Sequence, residues 1–221
     1  MAIAENGPGG HHRGRLGNIV YYVLNGKNVS RTIGVRTKPF TDAQLKNQLL
    51  IKIRSELLRD LQDFIKTGFS IEAILASDNG FNMAVKNNSD LVKGTFPELE
   101  IAFDQLLLSK GPLKPAQNWS VTLTSAGLDY KWDTDPQMAW PDSTDQVMLL
   151  AYFPVQRKVF YTLFGNTRFS GADSLEIPPS LIGKPMETYM SFISADRKQL
   201  SNSIHTGSFN SAVPELPQSN I

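Results

Sequence analysis

The sequence predicts an α+β N-terminal region, made of a β-hairpin plus two helices, followed by an all-β sandwich. Three observations carry this. Residues 18–33 hold two β-rich runs around Asn25-Gly26, the pair that best tolerates the positive φ angles of a type I′ turn. Residues 42–66 repeat apolar side chains at helical spacing. From residue 98 onward come eight short candidate strands, mostly separated by Gly, Pro, Asp or Ser, the pattern of a sandwich.

The chain opens with residues 1–17, read as a flexible Gly-rich basic arm. Gly7, Gly9, Gly10, Gly14 and Gly17 remove side chains, and after Met1 only Ile3 and Leu16 are large and apolar. Such a segment suits close backbone approach to a neighbour. An unpaired sheet edge offers it hydrogen-bonding groups. The expected assembly arm is therefore Gly9, Gly10, Arg13, Arg15, Leu16 and Gly17, crossing to an adjacent copy. The hairpin follows, with Tyr21, Tyr22, Asn25, Gly26 and Arg31 as its marked residues. A lone two-stranded hairpin is marginal in water, so Val20, Tyr22 and Leu24 must cover something.

Charge sets the same stretch apart. Between Asn6 and Thr41 stand Arg13, Arg15, Lys27, Arg31, Arg36 and Lys38, with no Asp or Glu. The whole chain has a formal net charge of +1, which leaves about −5 for the remainder. Such a division attracts either a polyanion or the acidic part of another copy.

Thr41-Asp-Ala-Gln44 forms a capping box, with Phe40 and Leu45 spaced for a hydrophobic staple. Leu45, Leu49, Ile53, Leu57, Leu61 and Phe64 then make one apolar stripe, so a single helix is predicted over 42–66, with Gly68 as its C-cap. A second helix starts at Ser77 or Asp78, carries Phe81, Val85, Leu91 and Val92, and closes at Gly94 and Pro97. The expected divisions are a hairpin and helical region at 18–97, a sandwich at 98–207 and an extended tail at 208–221.

Several chemistries find no support. Cysteine is absent, which excludes disulfides, thiol catalysis and Cys-ligated metals. No apolar run approaches a membrane span. The opening MAIAENGPGG lacks the basic and apolar regions of a signal peptide, so synthesis for the cytoplasm is expected, with an extracellular fibre or virion left open as the final location. His11 and His12 have only His205 as a further histidine, so no metal site is predicted. Asp133, Asp135, Asp142 and Asp145 offer hard oxygen ligands without EF-hand spacing, and read as a solvated loop. Ser-His-Asp catalysis would rest on His205 without a GxSxG elbow. No phosphate-binding loop or dinucleotide fingerprint occurs. Hence no catalytic residue and no cofactor are predicted. Trp132 reads as core. Trp140, beside Pro141 in a loop, is the better candidate for an exposed ligand platform.

Two resemblances add to this. Val121 to Trp132 resembles adjacent B and C strands of a fibronectin type III or immunoglobulin-like domain, with Trp132 in the place of the core tryptophan. Leu175–Pro178, Gly183-Lys-Pro and Tyr189–Asp196 resemble strand E, the E–F connection and strand F, and Ser201–Thr206 would be strand G. Residues 133–172 are longer than the usual connection. The whole chain also resembles an uncharacterised bacterial family with a Gly-rich start, a Gly-Lys hairpin ending in Arg, a Gln-containing helix start and a fibronectin-like C-terminal domain. Here these are Gly9-Gly10, Gly14-Arg-Leu-Gly-Asn18, Gly26-Lys27, Arg31 and Gln44. His11-His12 stands where that family has small or aromatic residues. The resemblance implies no activity.

The functional expectation is a non-enzymatic structural subunit that self-assembles into a fibre, tube, shell or virion-like particle through its arm and hairpin. An adhesion or carbohydrate/protein-binding module built around Trp140 is the alternative. Nucleic-acid binding by the basic arm is a weaker one, since aromatic interleaving is limited to Tyr21 and Tyr22.

Overall fold

Two adjacent two-residue loops determine how the N-terminal residues pair. At Gly17-Asn18, Gly17 takes φ +58°; at Asn25-Gly26 the angles are +48° and +73°, both positive as type I′ requires. In the computed structural model, which describes residues 2–4, 10–35, 37–137, 140 and 142–210, they join β2 (His12–Leu16), β3 (Ile19–Leu24) and β4 (Lys27–Thr32) into an antiparallel meander. Strand β1 (Ala2–Ala4) adds to the outer edge of β2. The sheet order is β1-β2-β3-β4. Residues 2–4 and 12–16, read above as part of a flexible arm, are strands of this sheet. The described part of 1–17 pairs within its own chain, because the Gly-Asn loop turns β2 straight back onto β3.

Contacts divide the chain between Leu45 and Lys46, leaving a small unit at 1–45 and a body at 46–221. The helical region and the sandwich, expected as separate stretches meeting at residue 97, lie in the same unit. Helix α1 (Asp42–Asp60) begins on the capping box, where Thr41 N donates to Gln44 Oε1 at 3.2 Å and Gln44 N to Thr41 Oγ1 at 3.4 Å. The single helix expected over 42–66 is broken at Leu61 and resumes as α2 (Gln62–Gly68). The apolar stripe runs through the break: Leu57, Leu58, Leu61, Phe64 and Ile65 are all buried. Residues 70–76 form α3 (Ser70–Ala76).

The next helix, α4 (Gly80–Asn87), is capped by Asn79, whose side chain accepts from Asn82 N at 2.8 Å. Asp78 supports the cap by accepting from Asn79 N. The helix stops well short of Gly94. Buried Asn88 turns the chain out by bonding Ala84 O and both backbone groups of Leu107 at 2.8 Å. Strands β5 (Val92–Thr95) and β6 (Glu98–Ile101) then form a separate hairpin.

Seven strands make the sandwich: β7 (Ser120–Leu123), β8 (Gly127–Lys131), β9 (Gln146–Phe153), β10 (Lys158–Thr162), β11 (Ala172–Glu176), β12 (Met186–Ile193) and β13 (Ile204–Phe209). One sheet has the order β11-β8-β7 and the other β10-β9-β12-β13. A short α5 (Pro179–Ile182) links β11 to β12. Residues 121–132, likened above to two adjacent strands, are a hairpin inside the smaller sheet. The 133–172 stretch contributes β9 and β10 to the larger one.

The larger sheet is buried on both faces. Val147, Leu149, Phe153, Met190 and Phe192 pack with Leu128, Tyr130 and Trp132 between the sheets. Met148, Leu150, Tyr152, Tyr189 and Ile193 pack on the other side with Leu58, Phe64 and Phe69 of the helical region and with Leu108. Strands covered on both sides carry continuous apolar runs, as VMLLAYF in β9 does. The tail expected at 208–221 begins inside β13, and its residues 211–221 lie outside the described residues.

Candidate functional site

The N-terminal sheet is where the sequence placed its marked residues, and the strand registers sort them onto two faces. Ile3 pairs with Arg13, Arg15 with Val20, Val20 with Arg31, Tyr22 with Val29, and Leu24 with Lys27. Side chains alternate along a strand and stay on one face across it. One face therefore gathers Arg13, Arg15, Lys27 and Arg31 around Val20, Tyr22, Leu24 and Val29. The opposite face pairs Gly14 with Tyr21, Leu16 with Ile19, Tyr21 with Ser30 and Val23 with Asn28. Among the described residues it carries no formal charge.

None of the described residues of this unit is buried. Ile3 and Leu16 are each 63% exposed. Arg15 Nε donates to Gly17 O at 2.9 Å, which holds the guanidinium over the turn. Asn28 ties the start of the sheet together: its amide donates to Gly10 O at 3.0 Å, and its oxygen accepts from His12 N and lies 3.1 Å from His11 Nδ1. The His12 ring sits 6.2 Å from that of Tyr21. Gly9 lies outside the described residues. Sequence reasoning missed β2 as a strand, although Gly17-Asn18 between Leu16 and Ile19 is itself a two-residue hairpin signal.

The body holds a cavity of about 470 Å³ at one end of the sandwich. Asp133, Asp135, Asp142 and Asp145 all line it, as do Lys114 and Arg168. Asp133 accepts from Asn118 Nδ2 and Asp135 from Gln137 N. Asp145 is buried and paired: Arg168 Nε lies 3.2 Å from its Oδ2. Arg168 also donates to Lys114 O at 2.8 Å and lies over the Phe192 ring at 3.8 Å. Burial raises the Asp145 carboxyl above its ordinary value, with Arg168 opposing. Burial lowers the Arg168 guanidinium, with Asp145 opposing. For both partners desolvation outweighs the attraction. Trp140 is 80% exposed; Pro141 beside it lies outside the described residues.

A second polar cluster lies on β12 and β13. A bulge leaves Thr206 and Gly207 together opposite Thr188, with Gly207 at φ +136°. The extra residue brings His205 and Ser208 onto one face. Both reach the same carboxylate: His205 Nε2 lies 2.7 Å from Glu187 Oε2, and Ser208 Oγ donates to that oxygen at 2.6 Å. A serine–histidine mechanism needs the hydroxyl on the imidazole. Here the hydroxyl is committed to Glu187.

Among the described residues, no helix is long and apolar enough to cross a membrane. The model of a family of unknown function, DUF6266, matches residues 11–207. No curated protein and no solved structure matches the chain.

Proposed function

Taking as premise that the chain belongs to the DUF6266 family of unknown function, we propose that it is a non-enzymatic structural subunit that self-assembles through its N-terminal sheet. One observation carries this reading. A four-stranded sheet with apolar and aromatic residues on both faces has no buried residue among those described, while the body at 46–221 owns two buried apolar clusters. A sheet needs a covered apolar face for stability, and another copy is the cover the reading assigns to it. The polar clusters of the body support the non-enzymatic part, since Arg168, Asp145, Ser208 and His205 are engaged with one another or with Glu187 and the backbone.

The sandwich is read as fibronectin III/immunoglobulin-like. Its three-plus-four strand order supports this. On this reading β8 takes the B position and β9 the C position, one strand later than the sequence resemblance suggested. Such modules commonly act as spacers or connectors, which suits a repeated subunit.

The second reading, a binding module, is favoured by the cavity beside Arg168 and by the exposure of Trp140. Negative-stain microscopy of the purified chain across concentrations separates the two. Regular fibres, tubes or shells support the subunit. Dispersed single particles at every concentration contradict it and move the binding module ahead.

A further inference from the structure

We propose that the copies join edge to edge: the outer edge of β1 in one copy pairs antiparallel with the outer edge of β4 in the next, so that the N-terminal sheet runs on through the assembly. This inference rests on the assembly reading above and adds the contact surface and its register.

The strand registers fix which backbone groups face outward. A two-residue hairpin closes on a hydrogen-bonded pair, and bonded and non-bonded pairs then alternate along the ladder. Leu24 with Lys27 closes the β3–β4 turn, and Ile33 N donating to Asn18 O at 2.8 Å keeps the same phase at the far end. Lys27, Val29 and Arg31 therefore bond inward to β3, while Asn28, Ser30 and Thr32 turn their backbone groups outward. Leu16 with Ile19 closes the β2–β3 turn in the same way. The backbone groups of Arg13 and Arg15 then point towards β1. Ile3 bonds inward to Arg13, and the backbone groups of Ala2 and Ala4 turn outward. Among the described residues no strand lies beyond β1 or β4 in this sheet. Such edges are templates for a further strand.

The two edges match in phase, direction and side chain. Setting Ala2 and Ala4 of one copy against Ser30 and Asn28 of the next makes two hydrogen-bonded pairs, with Ile3 between them opposite Val29. Ile3 is 63% exposed, and Val29 offers it apolar cover. Extending the β2–β3 register by one residue aligns Ile3, Arg13, Tyr22 and Val29 in one row, which the next Ile3 continues without stagger. Four antiparallel strands leave β1 and β4 running in opposite directions, so copies repeated side by side meet antiparallel at every junction. Lys27 and Arg31 flank Val29 on its own face. A slip by two residues would set Ile3 against one of these cations, and a slip by one would exchange the faces. A contact between two different edges leaves one of each free at the ends, so it propagates.

The chain has no cysteine, so introduced thiols report the contact without background. In a non-hydrogen-bonded antiparallel pair the Cα atoms stand about 4.5 Å apart, within reach of a disulfide. Inside one chain Ile3 and Val29 are three strand spacings apart, about 14 Å, too far to bridge. The full-length variants Ile3→Cys and Val29→Cys carry different mass tags and are mixed under mild oxidation. Circular dichroism checks that each folds, and light scattering reads assembly mass before oxidation. The expected result is that dimers of the two different variants outnumber like-with-like dimers severalfold, and that the double variant Ile3→Cys, Val29→Cys cross-links into a ladder of oligomers. Ser30→Pro is the second probe. It removes one outward N–H, a position where an edge strand tolerates proline, so it should fold and lose assembly mass. Like-with-like dimers in the majority overturn the proposal in favour of a two-fold contact. Assemblies that form without the mixed cross-link, or that Ser30→Pro leaves at wild-type mass, overturn the edge contact and leave the assembly reading standing. A wild-type chain that never exceeds monomer mass overturns the assembly reading itself, an outcome distinct from the others.

Discussion

Trp132 stands edge-on to Phe192, with ring centroids 5.6 Å apart and planes at 80°, and donates its indole N–H to Arg168 O at 2.8 Å. The pair joins the end of β8 to β12 across the sandwich, so the smaller sheet is pinned to the larger at the rim of the cavity.

Truncating Trp132 removes both the packing and the hydrogen bond. Trp132→Ala should cost about 3–5 kcal/mol, the range for a large core aromatic. Urea unfolding measures it. A loss below about 1 kcal/mol, no more than a surface change, would mean that the ring does not hold the sheets together.

Asp145 and Arg168 are both buried, and each ionises less readily than usual because burial outweighs the pairing. Breaking such a pair leaves an uncompensated charge, so Arg168→Met alone should destabilise by about 3–5 kcal/mol. The double variant Arg168→Met with Asp145→Leu should recover most of that loss, since apolar replacement of a buried pair is often neutral. A double variant as unstable as the single one would mean that the pair stabilises the fold outright.

The pH dependence follows from the same burial. The Asp145 carboxyl is raised in the folded state, so its contribution to stability is fully present below the unfolded value of about 3.9. It is lost as pH rises through the folded value. Asp78 and Asp196 are lowered, Asp78 first by the Asn79 amide and Asp196 first by the Ser194 hydroxyl. Their contributions run the other way: present above the unfolded value, lost as pH falls. Comparing wild type with Asp145→Asn isolates the first effect. The stability difference should shift in favour of the wild type as pH drops towards 4, near the unfolded value. A shift in the opposite direction would show that Arg168 holds Asp145 ionised.

Gly68 lets helix α2 end against the segment that leads into the sandwich. A Cβ there would stand 2.1 Å from Leu108 O, and Lys110 N donates to Gly68 O at 3.1 Å. Gly68→Ala should therefore cost about 1–3 kcal/mol, as overpacking does. Thermal unfolding reads the loss. An unchanged midpoint would mean that the segment yields freely.

Local signals were legible where the determining residues are neighbours in sequence. Asn25-Gly26 gave the β3–β4 hairpin, and Thr41 with Gln44 gave the start of α1. The break at Leu61 and the early end of α4 were not legible. Leu61 is as apolar as its neighbours, and Asn88 leaves the helix to bond Leu107, nineteen residues away. The shared core of helices and sandwich was hidden for a similar reason. The runs VMLLAYF and METYMSFI show that β9 and β12 are apolar, but the helices that cover their second face are distant in the chain. At the candidate site, the cations were visible in the sequence. Their common face was not, because it depends on the register of β2 against β3.

The central claim, that this chain is a self-assembling subunit, is tested most directly by static light scattering of the full-length protein over a range of concentrations. The account predicts a mass above that of one chain, growing with concentration. A mass equal to one chain at every concentration would contradict it.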